Sequence, residues 1–385
     1  MSFSVYDDSS HLARPTLGAK WPRPRRPVDG RERDCGPMLG ESVACRPTLR
    51  TASIRWRTWC VHSDPQAEML FGGERGRFRP VASRATPWQT SPMILRTLAG
   101  SILRGLGRLY PLHRTARLVH NRFTRWATAE MVDDVPVHTR NGLHIWAVPA
   151  ELIGRQLYLT GTWDPHLLAV LELLSVDART IVDVGANVGF FALSMARASS
   201  AKVHAVEPQY RLAHMMAKSA QRSGLSGRVS IHQFALSDRE GSVSFVVDKS
   251  NLGGSQIVQT ASVDSIVVPS RNGRQFLDSL GVPEIDLLKV DVEGHEKQVF
   301  GSFGPWIETR RLRNIVFETR GHGNDKDVIL RLASSGYSLL SVSKSLMSPR
   351  ITAWRPGVEG EYEDMIAIRN EDRSRSHEKL ARWIK

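Results

Sequence analysis

Five carboxylates stand at the ends of five apolar runs: Asp183 in Ile181 to Val184, Glu207 after Val203 to Val206, Asp238 after Ala235-Leu236-Ser237, Asp291 after Ile285 to Val290, and Glu318 after Asn314 to Phe317. Ligands of open α/β sheets bind outside the carboxyl ends of the strands, so the pattern predicts one acidic rim. Such a rim repels phosphate and attracts a cation. The run Ile181-Val182-Asp183-Val184-Gly185-Ala186-Asn187-Val188-Gly189 reads as a buried strand breaking into a glycine turn and then a helix, Phe190 to Ala198. Gly185 permits the tight turn, Gly189 a close approach of backbone to ligand, and Glu207 can accept hydrogen bonds from both hydroxyls of a ribose. A dinucleotide pyrophosphate would want a glycine where Asn187 stands and no carboxylate just before the turn. S-adenosylmethionine, which carries a sulfonium and an amino group and no phosphate, suits this loop better than NAD. The plainer reading of these carboxylates is solubility and turn formation, for Asp238 above all, because it precedes Arg239-Glu240-Gly241.

Positioning these residues takes alternating helices and strands. Helices are predicted over 164–174, 190–198, 211–223, 293–300 and 325–334. Strands are predicted over 181–184, 203–206, 229–235, 285–291, 314–317, 337–342 and 365–368. Short β-like pieces at 242–247 and 257–263 read as an insertion. Strands this apolar on both faces need cover on both sides, which gives an α/β fold with a mostly parallel sheet. The segment Asn251 to Gln259, with Gly253-Gly254 between polar residues, suits either a mobile loop over the reaction site or a tight turn.

Composition divides the chain. Residues 1–92 hold all three cysteines, ten of the twenty prolines and four of the ten tryptophans, without apolar periodicity. That is a poor recipe for a core, and a basic, disordered extension, or one translated from a start upstream of Met93, is expected. Cys35, Cys45 and Cys60 match neither a disulfide framework nor a zinc site, so the chemistry is not thiol chemistry. Of the net charge of +13, seven units fall after residue 92. Residues 93–126 interleave seven arginines with leucines and isoleucines, broken by Gly105, Gly107 and Pro111. This amphipathic segment suits peripheral contact with an anionic membrane or, equally, cover for an edge of the catalytic domain. Positive charge also admits an RNA or protein methyltransferase, or a non-enzymatic basic interaction protein. No aromatic ribonucleoprotein motif or metal-finger spacing accompanies it, and no nucleic-acid partner is expected.

Ile181 to Phe190, Val206-Glu207-Pro208, Ala235 to Asp238, Asn251 to Ser255, Ser262 to Ser265 and above all Asp286 to Glu296 (DLLKVDVEGHE) together resemble the FkbM family of S-adenosylmethionine-dependent methyltransferases. The likeness covers roughly residues 155–342 in order and spacing. It implies a class I, Rossmann-like fold with a seven-stranded, mostly parallel sheet whose last strand is antiparallel, helices on both faces, and O-methylation of a sugar, glycolipid or related secondary metabolite. It further implies that Asp183, Gly185, Ala186, Asn187 and Gly189 surround the methionine end of the cofactor, that Glu207 holds its ribose, and that Asp238 neighbours its adenine. Asp291 and Glu293 would lie where a sugar- or lipid-linked acceptor enters.

A hydroxyl is a poor nucleophile and gains from a base, for which Asp291 is preferred, then His295, with Glu318 orienting the acceptor. Tyr210 and Trp163-Asp164-Pro165 are candidates for closing the pocket. No metal is expected: Asp291, Glu293 and His295 alternate, but Gly294 interrupts them. The expected domains are 1–92, a helical lead-in at 93–154, a methyltransferase domain at 155–370 and a polar tail at 371–385. The expected setting is cytoplasmic or peripheral at the inner face of a membrane.

Overall fold

The computed structural model describes residues 92–109, 118–246, 248, 254–258, 265–319, 323–344, 348–355 and 364–384. The chain divides into two units, Met1–Ala82 and Ser83–Lys385, and every described residue lies in the second. The expectations for residues 1–91, and those for Asn251 to Gly253 and Ser262 to Asp264, fall outside the described residues.

The second unit begins with helices α1 (Pro92–Leu109) and α2 (Arg122–Thr128), a hairpin of β1 (Val135–His138) and β2 (His144–Ala147), and helices α3 (Leu152–Thr160) and α4 (Pro165–Ser175). Regular alternation follows through β3 (Thr180–Val184), α5 (Phe190–Ala198), β4 (Lys202–Val206), α6 (Tyr210–Arg222) and β5 (Val229–His232). Next come the short strands β6 (Ala235–Ser237), β7 (Gly241–Val246), β8 (Gln256–Val258) and β9 (Ser265–Asn272), then helix α7 (Gly273–Ser279). The chain continues with β10 (Ile285–Val290), α8 (Glu296–Ser302), α9 (Gly304–Glu308), β11 (Leu312–Glu318) and α10 (Gly323–Ser334). It closes with β12 (Tyr337–Lys344), β13 (Pro349–Ala353), β14 (Asp364–Arg369) and α11 (Arg373–Leu380).

The main sheet has the order β13-β12-β14-β11-β10-β3-β4-β5. From β11 to β5 all pairings are parallel, whereas β14 runs antiparallel to both β11 and β12. These seven strands have the arrangement that the resemblance implies, and β13, hairpinned to β12, adds an eighth at the edge. β3 and β10 are buried at every position, as strands covered on both faces must be. Successive residues point to opposite faces: Ile181 and Leu287 join one apolar layer with Leu193, Met195 and Met216, while Val182, Val184, Leu288 and Val290 join the other with Phe300, Phe303, Trp306 and Phe317.

Several expectations are revised. The predicted strand 229–235 is two strands, and its second part, β6, leaves the main sheet to pair with β9 in a separate sheet of order β6-β9-β7-β8. That sheet has a small apolar cluster of its own, Ala235, Phe245 and Val268. The helix predicted from Glu293 begins only at Glu296, because Glu293 (φ +55°) and Gly294 (φ +97°) hold left-handed backbone that a right-handed helix excludes. α1 runs unbroken through Gly105 and Gly107. At Gly107 a Cβ would stand 2.3 Å from the Leu159 carbonyl oxygen, so this glycine lets α1 press against α3. Residues read as a lead-in contribute Val137, Leu143, Ile145, Ala147 and Val148 to the layer that holds Ile181.

The segment read as a polar tail is also integrated. Leu380 is fully buried, the Ser376 hydroxyl donates to Asn314 at 2.8 Å, and Arg375 and Lys379 pair with Asp177. Ile384 bridges Ile351 of β13, whose amide donates to the Trp383 carbonyl at 2.9 Å. No described helix is long and apolar enough to cross a membrane.

Candidate functional site

β3 ends at Val184, and the chain turns through Gly185 (φ +78°) and Asn187 (φ +53°) to Gly189 (φ +83°), which opens α5. Gly185 has no room for a side chain: a Cβ would lie 1.8 Å from the carbonyl oxygen of Asp291. The amides of Gly185 and Ala186 both donate to the Val206 carbonyl at 3.0 Å, tying the turn to the end of β4. Asn187 tolerates left-handed backbone, and its side-chain oxygen accepts from the Val188 amide at 2.7 Å. Gly189 serves a different purpose from the one expected, since a Cβ there would meet Met216 Cγ at 2.3 Å. Its role is close packing of α5 on α6, not approach to a ligand.

Glu207 is buried at the end of β4. Its Oε2 accepts from the Asn187 amide at 2.9 Å and its Oε1 from the Gln209 amide at 2.8 Å. Burial pushes its carboxyl up to about 7, with the two backbone donors pulling the other way. Glu207 lines a cleft with Gly185 and Asn187 on the turn side and Asp291 and Glu293 after β10. The facing wall is mainly apolar: Phe234, Ala235 and Leu236 around β6, with Phe245 and Ile257 from the small sheet and Ser255 just before β8. The predicted insertion over the site thus contributes Ser255 and Ile257 directly.

Behind the cleft is a charge arrangement that strand-end reasoning missed. Lys289, almost fully buried, places its ammonium 3.3 Å from Asp183 Oδ1 and 3.3 Å from Asp291 Oδ2. Burial would pull the lysine pKa down, but the two carboxylates outweigh it and push it above its usual value. The register explains the contact: Lys289 on β10 lies directly opposite Asp183 on β3. The available signal was a lysine inside an otherwise apolar, fully covered strand.

Glu318, at the end of β11, shares a hydrogen bond with Asp291. Burial first, and then the charge of Asp291, push the Glu318 carboxyl up to about 8, so near neutral pH it carries a proton. Asp291, Glu293 and Glu318 each present an oxygen within 4.8 Å of the others. The sequence grouped Asp291 and Glu293 with His295 instead.

His295 and Asp238 form a separate group. The Ser237 hydroxyl lies 2.9 Å from His295 Nε2 and 3.1 Å from Asp238 Oδ1, and burial lowers the histidine pKa. Neither residue lines the cleft. Asp183 lies beneath the floor, and Ala186 shapes the turn without facing the cleft. Asp164 caps α4 by accepting from the Leu167 amide at 3.0 Å and pairs with Lys344, while Tyr210 is exposed and stacks on His214. The expected pocket-closing residues are therefore elsewhere. The predicted set resolves into a cleft wall of Gly185, Asn187, Glu207 and Asp291, with Glu318 behind Asp291.

Residues 183–339 match the family model described as the methyltransferase FkbM domain. The chain is 27% identical over 172 residues to hexuronic acid methyltransferase AglP of Haloferax volcanii, covering 44% of this chain and 69% of that relative. Similar solved structures include an O-methyltransferase from Bacillus cereus in complex with SAH (TM-score 0.33, 13% identity, 54% of this chain and 82% of that one). Another is precorrin-6y C5,15-methyltransferase from Geobacter metallireducens (TM-score 0.32, 11% identity, 52% and 86%).

Proposed function

Since this chain is an S-adenosylmethionine-dependent methyltransferase carrying the FkbM domain, we propose that it methylates a hydroxyl oxygen of a sugar, a sugar-linked lipid or a related secondary metabolite. The residues of the cleft fit the cofactor by their chemistry. An apolar wall at Phe234 and Leu236 suits a planar base, the buried Glu207 carboxylate suits a ribose diol, and Asp291 and Glu293 suit a cation. When bound, the cofactor supplies a methyl group already electrophilic on its sulfonium.

What remains for the protein is to align an acceptor oxygen and take its proton. The observation that carries this reading is Asp291 at the cleft, held from one side by Lys289 and from the other by Glu318. As the acceptor oxygen attacks, its proton passes to the Asp291 carboxylate, whose geometry these two neighbours fix. Carboxylates at the cleft also accept hydrogen bonds from neighbouring sugar hydroxyls and disfavour an anionic acceptor.

The test is labelled cofactor incubated with the full chain and with extracts separated into glycolipid, polysaccharide, small metabolites, protein and RNA. Label is expected in a carbohydrate-containing fraction as an alkali-stable ether. Label confined to RNA or protein, or released by mild base as from a methyl ester, would overturn the proposal. Asp291→Asn is expected to slow transfer by roughly 10²–10⁴-fold while S-adenosylhomocysteine still binds in calorimetry.

A further inference from the structure

Between Met93 and Ala129 the chain carries seven arginines and no aspartate or glutamate. Helix α1, which opens this stretch, leaves a row of apolar side chains outside. Leu95, Leu98, Ile102, Leu106 and Leu109, at steps of three, four, four and three residues, are each at least half exposed and form one stripe. The opposite side of the helix is anchored: Gly100 and Gly107 are buried, and Leu103 packs on the core. The stripe therefore lies on an element already docked. On the neighbouring helix α2, Phe123 and Trp126 are also exposed, and their rings stack 5.6 Å apart. Arg122 and Arg125 beside them are exposed and form no ion pair among the described residues. Arg96 lies over the Trp126 ring at 5.3 Å and pairs with Glu130, so it is already engaged within the protein.

We propose that this face of α1 and α2 rests on an anionic lipid bilayer, with the leucine stripe at the boundary between headgroups and acyl chains and Arg122 and Arg125 on the lipid phosphates. Charge decides between occupants. A second copy of the same face would oppose Arg122 and Arg125 to their own counterparts, and Glu130, the carboxylate that follows α2, is already paired with Arg96. A nucleic acid would satisfy the arginines and leave five aliphatic side chains in water. An anionic membrane satisfies both, and this assignment does not depend on which acceptor is methylated.

The full chain is sedimented with vesicles of phosphatidylcholine alone and of an equimolar mixture of phosphatidylcholine and phosphatidylglycerol. It is expected to pellet with the mixed vesicles, not with the neutral ones, and to be released by high salt. Arg122→Ser/Arg125→Ser is expected to weaken binding roughly fivefold for each arginine lost. Leu98→Glu/Ile102→Glu is expected to abolish it, with S-adenosylhomocysteine binding unchanged as the check that the fold is intact. Wild-type protein that stays in the supernatant overturns the proposal. So does a Leu98→Glu/Ile102→Glu variant that still pellets, which would place the binding elsewhere, the arginine-rich residues 1–91 included. A wild-type dimer that the same variant splits, seen by sedimentation equilibrium, would assign the face to a second copy and overturn it equally.

Discussion

Lys289 answers two carboxylates at once, and removing it would leave Asp183 as a buried charge without its counter-ion. Breaking one side of a buried pair costs on the order of 3–5 kcal/mol, whereas replacing both sides with uncharged groups is often nearly neutral. Lys289→Met is therefore expected to lower the urea midpoint sharply, and Asp183→Asn/Lys289→Met to recover most of the loss. A double variant whose loss equals the sum of the losses in Asp183→Asn and Lys289→Met would show that the pair is not coupled. At this scale the sequence was legible where a functional group closes a strand: Glu207 and Asp291 both face the cleft. It was not legible for Lys289, whose role arises from strand register, while Glu318 was placed at its strand end but its bond to Asp291 arises from proximity across β10 and β11. His295 misled because nearness in sequence to Asp291 is cancelled by the left-handed residues Glu293 and Gly294, and the ring ends at Ser237.

The turn between β3 and α5 shows what an element needs in order to hold a ligand. Ala at position 185 would bring both a positive-φ penalty and a Cβ within 1.8 Å of the Asp291 carbonyl oxygen, which is backbone and cannot step aside. Gly185→Ala is expected to abolish S-adenosylhomocysteine binding in calorimetry. Gly281→Ala, at φ +66° with open space around it, is the control for the backbone penalty alone and is expected to cost about 1 kcal/mol with binding intact. Unchanged affinity in Gly185→Ala would mean that the turn does not shape the site. Amphipathic period and strand apolarity placed α5 and the parallel strands within a residue or two. They failed at 229–235, where one apolar run serves two sheets, because the partner that draws β6 away, β9, lies more than thirty residues downstream.

Over the whole molecule, buried and half-buried acids and half-buried histidines pull stability in opposite directions with pH. Burial is the leading cause of raised carboxyl pKa values at Glu151 and Glu207 (about 7) and at Glu318 (about 8). The folded state holds their protons after the unfolded chain has released them, so their contribution falls as pH rises from about 4.5 towards 8. Histidines with lowered pKa, His232 to about 4 among them, contribute stability that rises with pH up to about 6.5 and then levels off. Below about 6.5 the two groups oppose each other; above it only the acids act. Stability without cofactor is thus expected to decline between pH 6.5 and 8 in urea titrations, and Glu318→Gln to flatten the decline; a rise over that interval would refute the assignment. The edge of the main sheet carries one more consequence. An outermost strand normally offers unpaired amides and carbonyls on which a foreign strand can template. At β13 the backbone of Ile351 is already engaged by Trp383 and Ile384, so that rim is partly closed to strand-by-strand polymerisation.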